Sequence, residues 1–200
     1  MMDHDKERRL GISSVETVPW GEHSCVFFNS EEELLSLVVP YVQAGLEDNE
    51  FCMWITGEPL TEKAAFEALE EVLPQAYRYL AQKQLEIVPS RQWYLSSGKF
   101  DAQRVLDNWV SRSRHAQAQG FAGIRITGNP VWLQAEEDWM QFMHYEETVH
   151  QQIRGERMMA LCTYPTVIFQ GKHIQDTLST HNSAFVLEHD HWRRLELSRR

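Results

Sequence analysis

Short apolar runs alternate with amphipathic stretches along most of this chain. The run His23–Phe28 is β-leaning and stops at Asn29-Ser30, where Ser30 and Glu33 form a capping box and Glu31, Glu32 and Glu33 favour a helix start. The helix that follows sets Leu34, Leu35, Val38, Val42 and Leu46 on one side, with a break near Gly45. Phe51–Thr56 reads as a buried strand stopped by Gly57 and Pro59; Thr61 caps a helix through Val72, and Pro74 opens a second, shorter one. Residues 85–88 form a third strand, ended by Pro89, and a loop rich in Arg91, Trp93, Tyr94 and Gly98 follows. Asp101 caps a helix bearing Val105, Leu106, Trp109 and Val110. Residues 123–127 are a fourth strand with Gly128-Asn129-Pro130 as its turn, 135–153 a long helix, 157–162 a fifth strand, 174–180 a helix and 183–187 a last strand.

Strands separated by helices imply βαβ units. The expected fold is therefore α/β, a mostly parallel sheet flanked by helices on both faces. Ligands of such sheets sit beyond the carboxyl ends of the strands. That points to Phe28-Asn29, Thr56-Gly57, the Arg91–Tyr94 loop, Thr127 to Trp132 and Thr163-Tyr164. Residues 1–18 are expected to be a flexible polar arm, 19–188 one domain and 189–200 a charged tail.

Charge and cysteine usage narrow the classes. The formal net charge of −10 opposes a broad nucleic-acid surface, which needs clustered positive charge. No stretch is apolar and long enough to span a bilayer, and the charged first residues hold no signal-peptide core. Cys25, Cys52 and Cys162 are an odd number without a secretion signal, which suggests reduced thiols and a cytoplasmic protein. A phosphate cradle would need glycines and a lysine after the first strand; the turn reads Phe28-Asn29-Ser30-Glu31-Glu32-Glu33 instead, so carboxylates stand where phosphates would go. No GxGxxG or GxSxG occurs, and no enzymatic activity and no cofactor are expected.

With the strands placed, several words resemble one family. Gly21-Glu22-His23-Ser24-Cys25-Val26-Phe27-Phe28 is similar to the opening motif of the MEDS family, the methanogen/methylotroph DcmR-type sensory domain. Ala44-Gly45-Leu46 with Asn49 to Cys52, Tyr94 to Asp101, Gly120 to Gly128 through Trp132, Tyr145-Glu146, Cys162-Thr163-Tyr164 and His181 continue the series. The resemblance covers about Gly21 to Leu187. It implies a RecA/KaiC-like three-layer sandwich without a Walker A motif, and a sensory role with small hydrocarbon derivatives as ligands. The partners it implies are a small-molecule ligand and a separate signalling or regulatory protein, with a homodimer left open and neither direct nucleic-acid nor membrane binding expected. Pro165 after Tyr164 and Asn182 after His181 depart from the family pattern.

The candidate ligand-binding residues are His23, Cys25, Arg125, Trp132, Tyr145, Glu146, Cys162, Tyr164 and His181. His23 and Cys25 share a strand face, where imidazole could favour thiolate or both could simply line the core. Arg125 lies between Ile124 and Ile126 in a strand buried on both faces, and Glu146 falls on the apolar stripe of its helix with Trp139, Phe142 and Val149. Neither charge is cheap to bury alone, so the two are expected to pair with each other or with a ligand. Trp93, Tyr94, Trp132 and Tyr164 could wall an apolar pocket at the sheet edge. Cys25, Cys52, Cys162, His23 and His181 could hold zinc only if their strands are neighbours; without CxxC or HExxH, no metal is expected, and His189-Asp190-His191 reads as solvated tail.

Overall fold

The computed structural model describes residues 7–12, 17–133 and 135–197. A small antiparallel ribbon, β1 (Glu7–Arg9) with β2 (Thr17–Pro19), precedes the main sheet. The chain then runs β3 (His23–Phe28), α1 (Glu31–Glu47), β4 (Phe51–Thr56), α2 (Glu62–Val72), α3 (Ala76–Ala81), β5 (Leu85–Pro89), α4 (Ser90–Tyr94) and α5 (Ala102–Ala118). It continues through β6 (Ile124–Gly128), α6 (Glu136–Ile153), β7 (Met158–Pro165), α7 (Lys172–Thr180), β8 (Ser183–Glu188) and β9 (His191–Glu196).

Seven strands form one sheet in the order β5-β4-β6-β7-β3-β8-β9. All neighbours are parallel except β8 and β9. The mostly parallel α/β sandwich expected from the alternation of elements is the architecture found. Because side chains alternate along each strand, the sheet feeds two separate cores. One holds Val26, Cys52, Trp54, Met159 and Leu161 against α1, α2 and α3. The other holds Cys25, Met53, Ile124, Ile126, Ala160 and Cys162 against α4, α5 and α6.

The caps read from sequence are in place. Ser30 Oγ accepts from the Glu33 N–H at 3.2 Å, Thr61 Oγ1 from Ala64 and Asp101 Oδ1 from Arg104. Glu33 also takes the Asn29 N–H at 2.8 Å, so the carboxylate of the helix itself satisfies the backbone donor at this turn.

Two stretches expected to be loose are built into the fold. Leu10 and Ile12, in the supposed arm, are buried on α1. Gly11 makes this approach possible: at φ +78° an added Cβ would sit 2.2 Å from the Pro40 carbonyl oxygen. The charged neighbours Arg8 and Arg9 masked that short apolar alternation, and residues 1–6 and 13–16 of the expected arm lie outside the described residues. In the supposed tail, His189 and Asp190 both have positive φ, the signature of a two-residue hairpin turn. That turn folds β9 back on β8 and buries Trp192. The loop after β5 also contains the short helix α4.

Candidate functional site

Four buried side chains converge on the α6 face of the sheet. His23 opens β3, Cys162 lies on the adjoining strand β7, His181 ends α7 just before β8, and Glu146 projects from α6. Parallel pairing of Cys25 with Cys162 sets the thiol of Cys162 close to the His23 ring. His23 Nε2 lies 3.1 Å from Glu146 Oε2 and 3.5 Å from Cys162 Sγ. The same carboxylate oxygen is 3.6 Å from His181 Nε2 and 3.7 Å from Cys162 Sγ. The two imidazoles overlap, with ring centroids 4.0 Å apart. None of the four side chains is more than marginally exposed.

Burial dominates their chemistry. It pushes the Glu146 carboxyl up to about 7, against the lowering pull of His181. It pushes His181 down to about 3, with His23 adding to the effect. The Cys162 thiol is driven well above its usual range by burial and by the neighbouring carboxylate. Near neutral pH the cluster thus holds a neutral His181, a protonated thiol and a carboxyl poised between its two forms.

Asn182, one of the departures from the family pattern, braces this corner. Its side-chain oxygen accepts the His23 N–H at 3.0 Å, and its own N–H donates to the His23 carbonyl at 2.7 Å. Pro165, the other departure, ends β7, where its carbonyl accepts the Phe169 N–H at 3.0 Å.

The aromatic residues split into two groups. Tyr94, Phe100, Trp132, Phe142 and Tyr145 form one array, with Tyr94 and Trp132 centroids 5.6 Å apart. Trp109 Nε1 donates to Tyr145 Oη at 2.8 Å and closes this array over the cluster. Tyr164 instead stacks on Phe27 and meets His181 edge-on, and its buried hydroxyl has no hydrogen-bond partner among the described residues. A void of about 20 Å³ lies against Tyr145, Glu146 and Cys162. Behind Trp109, Val149 and Met158 a groove of about 210 Å³ opens between α5 and α6.

Arg125 and Glu146 do not pair. Alternation along β6 sends Ile124 and Ile126 to the α6 face and Arg125 to the α1 face. There Arg125 holds Glu50 through Nε at 2.6 Å and Nη2 at 3.1 Å. It also donates to the carbonyls of Tyr41 and Arg9, and Arg8 adds a bond to Glu50 at 2.7 Å. Cys52 shares that face, its thiol turned to the Val42 carbonyl. Cys25 is on the same face as His23 but its thiol points to the Ser183 carbonyl at 3.7 Å, so Cys162 is the thiol that meets His23. Sequence reasoning missed His150, which stands one helical turn beyond Glu146 with its ring 5.9 Å from that of His23. The i, i+4 spacing on the buried stripe was the available signal. The cleft at the carboxyl ends of β4 and β5, about 360 Å³ and lined by Thr56, Gly57, Arg91 and Val131, is separate from the cluster.

A family model for MEDS, the methanogen/methylotroph DcmR sensory domain, matches residues 22–182. The transcriptional repressor DcmR of Methylorubrum extorquens (strain DSM 6343 / CIP 106787 / DM4) is 25% identical over 171 residues. That alignment takes in 84% of this chain and 61% of the repressor. No helix among the described residues is long and apolar enough to cross a membrane.

Proposed function

The chain belongs to the MEDS family of sensory domains, and from that premise we propose that it senses a small ligand at the buried His23–Glu146–Cys162–His181 cluster and passes the change to a regulatory partner protein. The observation that carries this reading is the convergence of four titratable groups, all buried, on one spot beneath an aromatic array. Structural cores bury such groups in satisfied pairs. Here one carboxylate oxygen serves three partners, while the buried Tyr164 hydroxyl has no hydrogen-bond partner among the described residues. Perturbed titratable groups gathered beside an apolar wall are the usual marks of a binding site.

The ligand would be small and mostly apolar with one polar or electrophilic point, as the hydrocarbon derivatives linked to the family are. Trp132, Tyr145 and the rest of the aromatic array would pack its apolar part, and Tyr164, His23 or Glu146 would hold its polar end. Entry would run through the α5–α6 groove, with Trp109 and Tyr145 turning aside. The void beside the cluster is about the size of one water, so binding must move α5 or α6. That movement is the signal, provided that the ligand binds the two arrangements unequally. Cys25 braces the sheet beside the cluster in this reading, and Arg125 fixes α1 from the opposite face.

A thermal-shift screen of small alcohols, amines, halides and acids against the full chain tests this. The expected result is a set of compounds that raise Tm for the wild type and not for His23→Ala. Compounds that stabilise both proteins equally would place binding elsewhere, and the cleft at the ends of β4 and β5 would become the site to examine.

A further inference from the structure

We infer that His23 Nε2, His181 Nε2, Cys162 Sγ and Glu146 Oε2 form a binding site for one divalent transition metal ion of the zinc class. This goes beyond the sensory reading, since the ion could hold the strands and α6 together whether or not a second ligand is sensed.

Three observations converge. The first is geometric. Zinc bound by two imidazoles, a thiolate and a carboxylate has bonds of about 2.0–2.3 Å, so neighbouring donor atoms of a tetrahedron stand about 3.3–3.7 Å apart. The distances here are 3.1 Å for His23–Glu146, 3.5 Å for His23–Cys162, 3.6 Å for His181–Glu146 and 3.7 Å for Cys162–Glu146. All four donor atoms lie within 4.8 Å of one another. Closing the widest edge takes side-chain shifts of about 1 Å.

The second is the orientation of His181. Its Nδ1 lies 2.8 Å from the Thr177 carbonyl oxygen, which can only accept. The proton is therefore on Nδ1, and Nε2 carries a lone pair directed at the cluster. A carbonyl that fixes the remote nitrogen of a histidine is the usual outer support of a metal-binding imidazole. Buried Nε2 has no hydrogen-bond partner among the described residues.

The third is electrostatic. That lone pair faces Glu146 Oε2, itself an acceptor when ionised. Two acceptors facing each other in a dry interior need a cation between them. A single proton can bridge one of the three pairs that Glu146 Oε2 makes. A dication bridges them all, and it converts Cys162 to thiolate by displacing its proton to solvent. The donor set of two nitrogens, one sulfur and one oxygen suits zinc and its neighbours and does not suit magnesium or calcium.

The other histidine-rich stretch does not compete on these terms. His189 lies in the exposed hairpin turn and His191 follows it, and among the described residues no buried orphan nitrogen belongs to either.

The test uses the full chain, stripped of metal with a chelator and titrated with Co(II). Cobalt in a tetrahedral site with one thiolate gives intense visible d–d bands and a sulfur-to-metal charge-transfer band in the near ultraviolet. The expected outcome is saturation at one ion per chain with both features, and their loss when one equivalent of Zn(II) is added. Cys162→Ser should lose the charge-transfer band, and His181→Gln should weaken cobalt binding at least tenfold. A variant lacking both His189 and His191 should titrate as the wild type does. Weak octahedral-type spectra in the wild type would overturn the site without any variant. So would a wild-type spectrum kept in Cys162→Ser, or one lost with His189 and His191. The sensory reading stands or falls separately, on whether small organics shift Tm in zinc-loaded and metal-free protein alike.

Discussion

His23 Nε2 and Glu146 Oε2 meet at 3.1 Å in a part of the core that water does not reach. One comes from the first strand of the main sheet and the other from a helix more than a hundred residues later, so their contact ties β3 to α6. Everything proposed for the site depends on that tie.

The carboxyl of Glu146 makes the stability of the metal-free protein depend on pH. Its folded value, about 7, lies above the ordinary 4.5. A raised group contributes fully below the ordinary value and loses that contribution as the pH climbs through the folded one. His181 acts in the opposite sense: lowered from 6.5 to about 3, it contributes fully above 6.5 and loses this as the pH falls. Glu146→Gln deletes only the first limb. The stability of the variant relative to wild type should rise by about 1.4 kcal/mol per pH unit between the two carboxyl values. Urea titrations of chelator-treated protein across that range measure it, and a parallel pair of curves would remove Glu146 as the titrating group.

Arg125 and Glu50 anchor the opposite core. Breaking this buried pair leaves one charge uncompensated, so Glu50→Gln and Arg125→Met should each cost about 3–5 kcal/mol. The double variant should recover part of the loss, since neither Glu50 nor Arg125 is then left facing an empty partner position, although Arg8 still loses its carboxylate. Denaturant melts in a double-mutant cycle give the coupling directly.

Gly45 owes its place to the same pair. An alanine Cβ there would stand 2.7 Å from both Arg125 Nε and Cys52 Sγ. Overpacking of about 1–3 kcal/mol exceeds the helix-propensity gain of roughly 1 kcal/mol. Gly45→Ala should therefore lower Tm, with a larger loss if Arg125 is displaced from Glu50.

Cys25 and Cys52 are buried thiols whose ionisation is pushed up by desolvation. Neither should react with a thiol reagent in the folded state near neutral pH, and both should react at the rate of unfolding. Time courses with an aromatic disulfide reagent, with and without urea, check this. Fast labelling of native Cys25 would instead indicate a thiolate favoured by the His23 imidazole on their shared strand face.

Much of the fold was legible because period and punctuation agreed. The runs at β3 and β4, the Ser30, Thr61 and Asp101 caps and the long stripe of α6 each had a local signal that tertiary packing then used. The two ends were misread where apolar residues are sparse and charge is dense: Leu10 and Ile12 bury through a glycine contact with α1, and β9 depends on a turn whose residues suggested solvent or metal. Glu146 was recognised as out of place on its stripe, but its partner was not. Strand alternation separates Arg125 from it by the thickness of the sheet, and Glu50, just before an apolar strand, gave no sign that it would face inward. Convergence of His23, Cys162 and His181 depends on strand order, with β3 between β7 and β8. Periodicity within a segment carries no information about which segments become neighbours.

The site is most directly tested by calorimetric titration of the best compound from the thermal-shift screen into three proteins: wild type, Cys162→Ala and Cys52→Ala. Both substitutions remove a buried thiol, one from each face of the sheet. Ligand recognition at the cluster predicts that Cys162→Ala weakens binding at least tenfold while Cys52→Ala binds as wild type does. Equal affinity for all three, or a loss confined to Cys52→Ala, would contradict it.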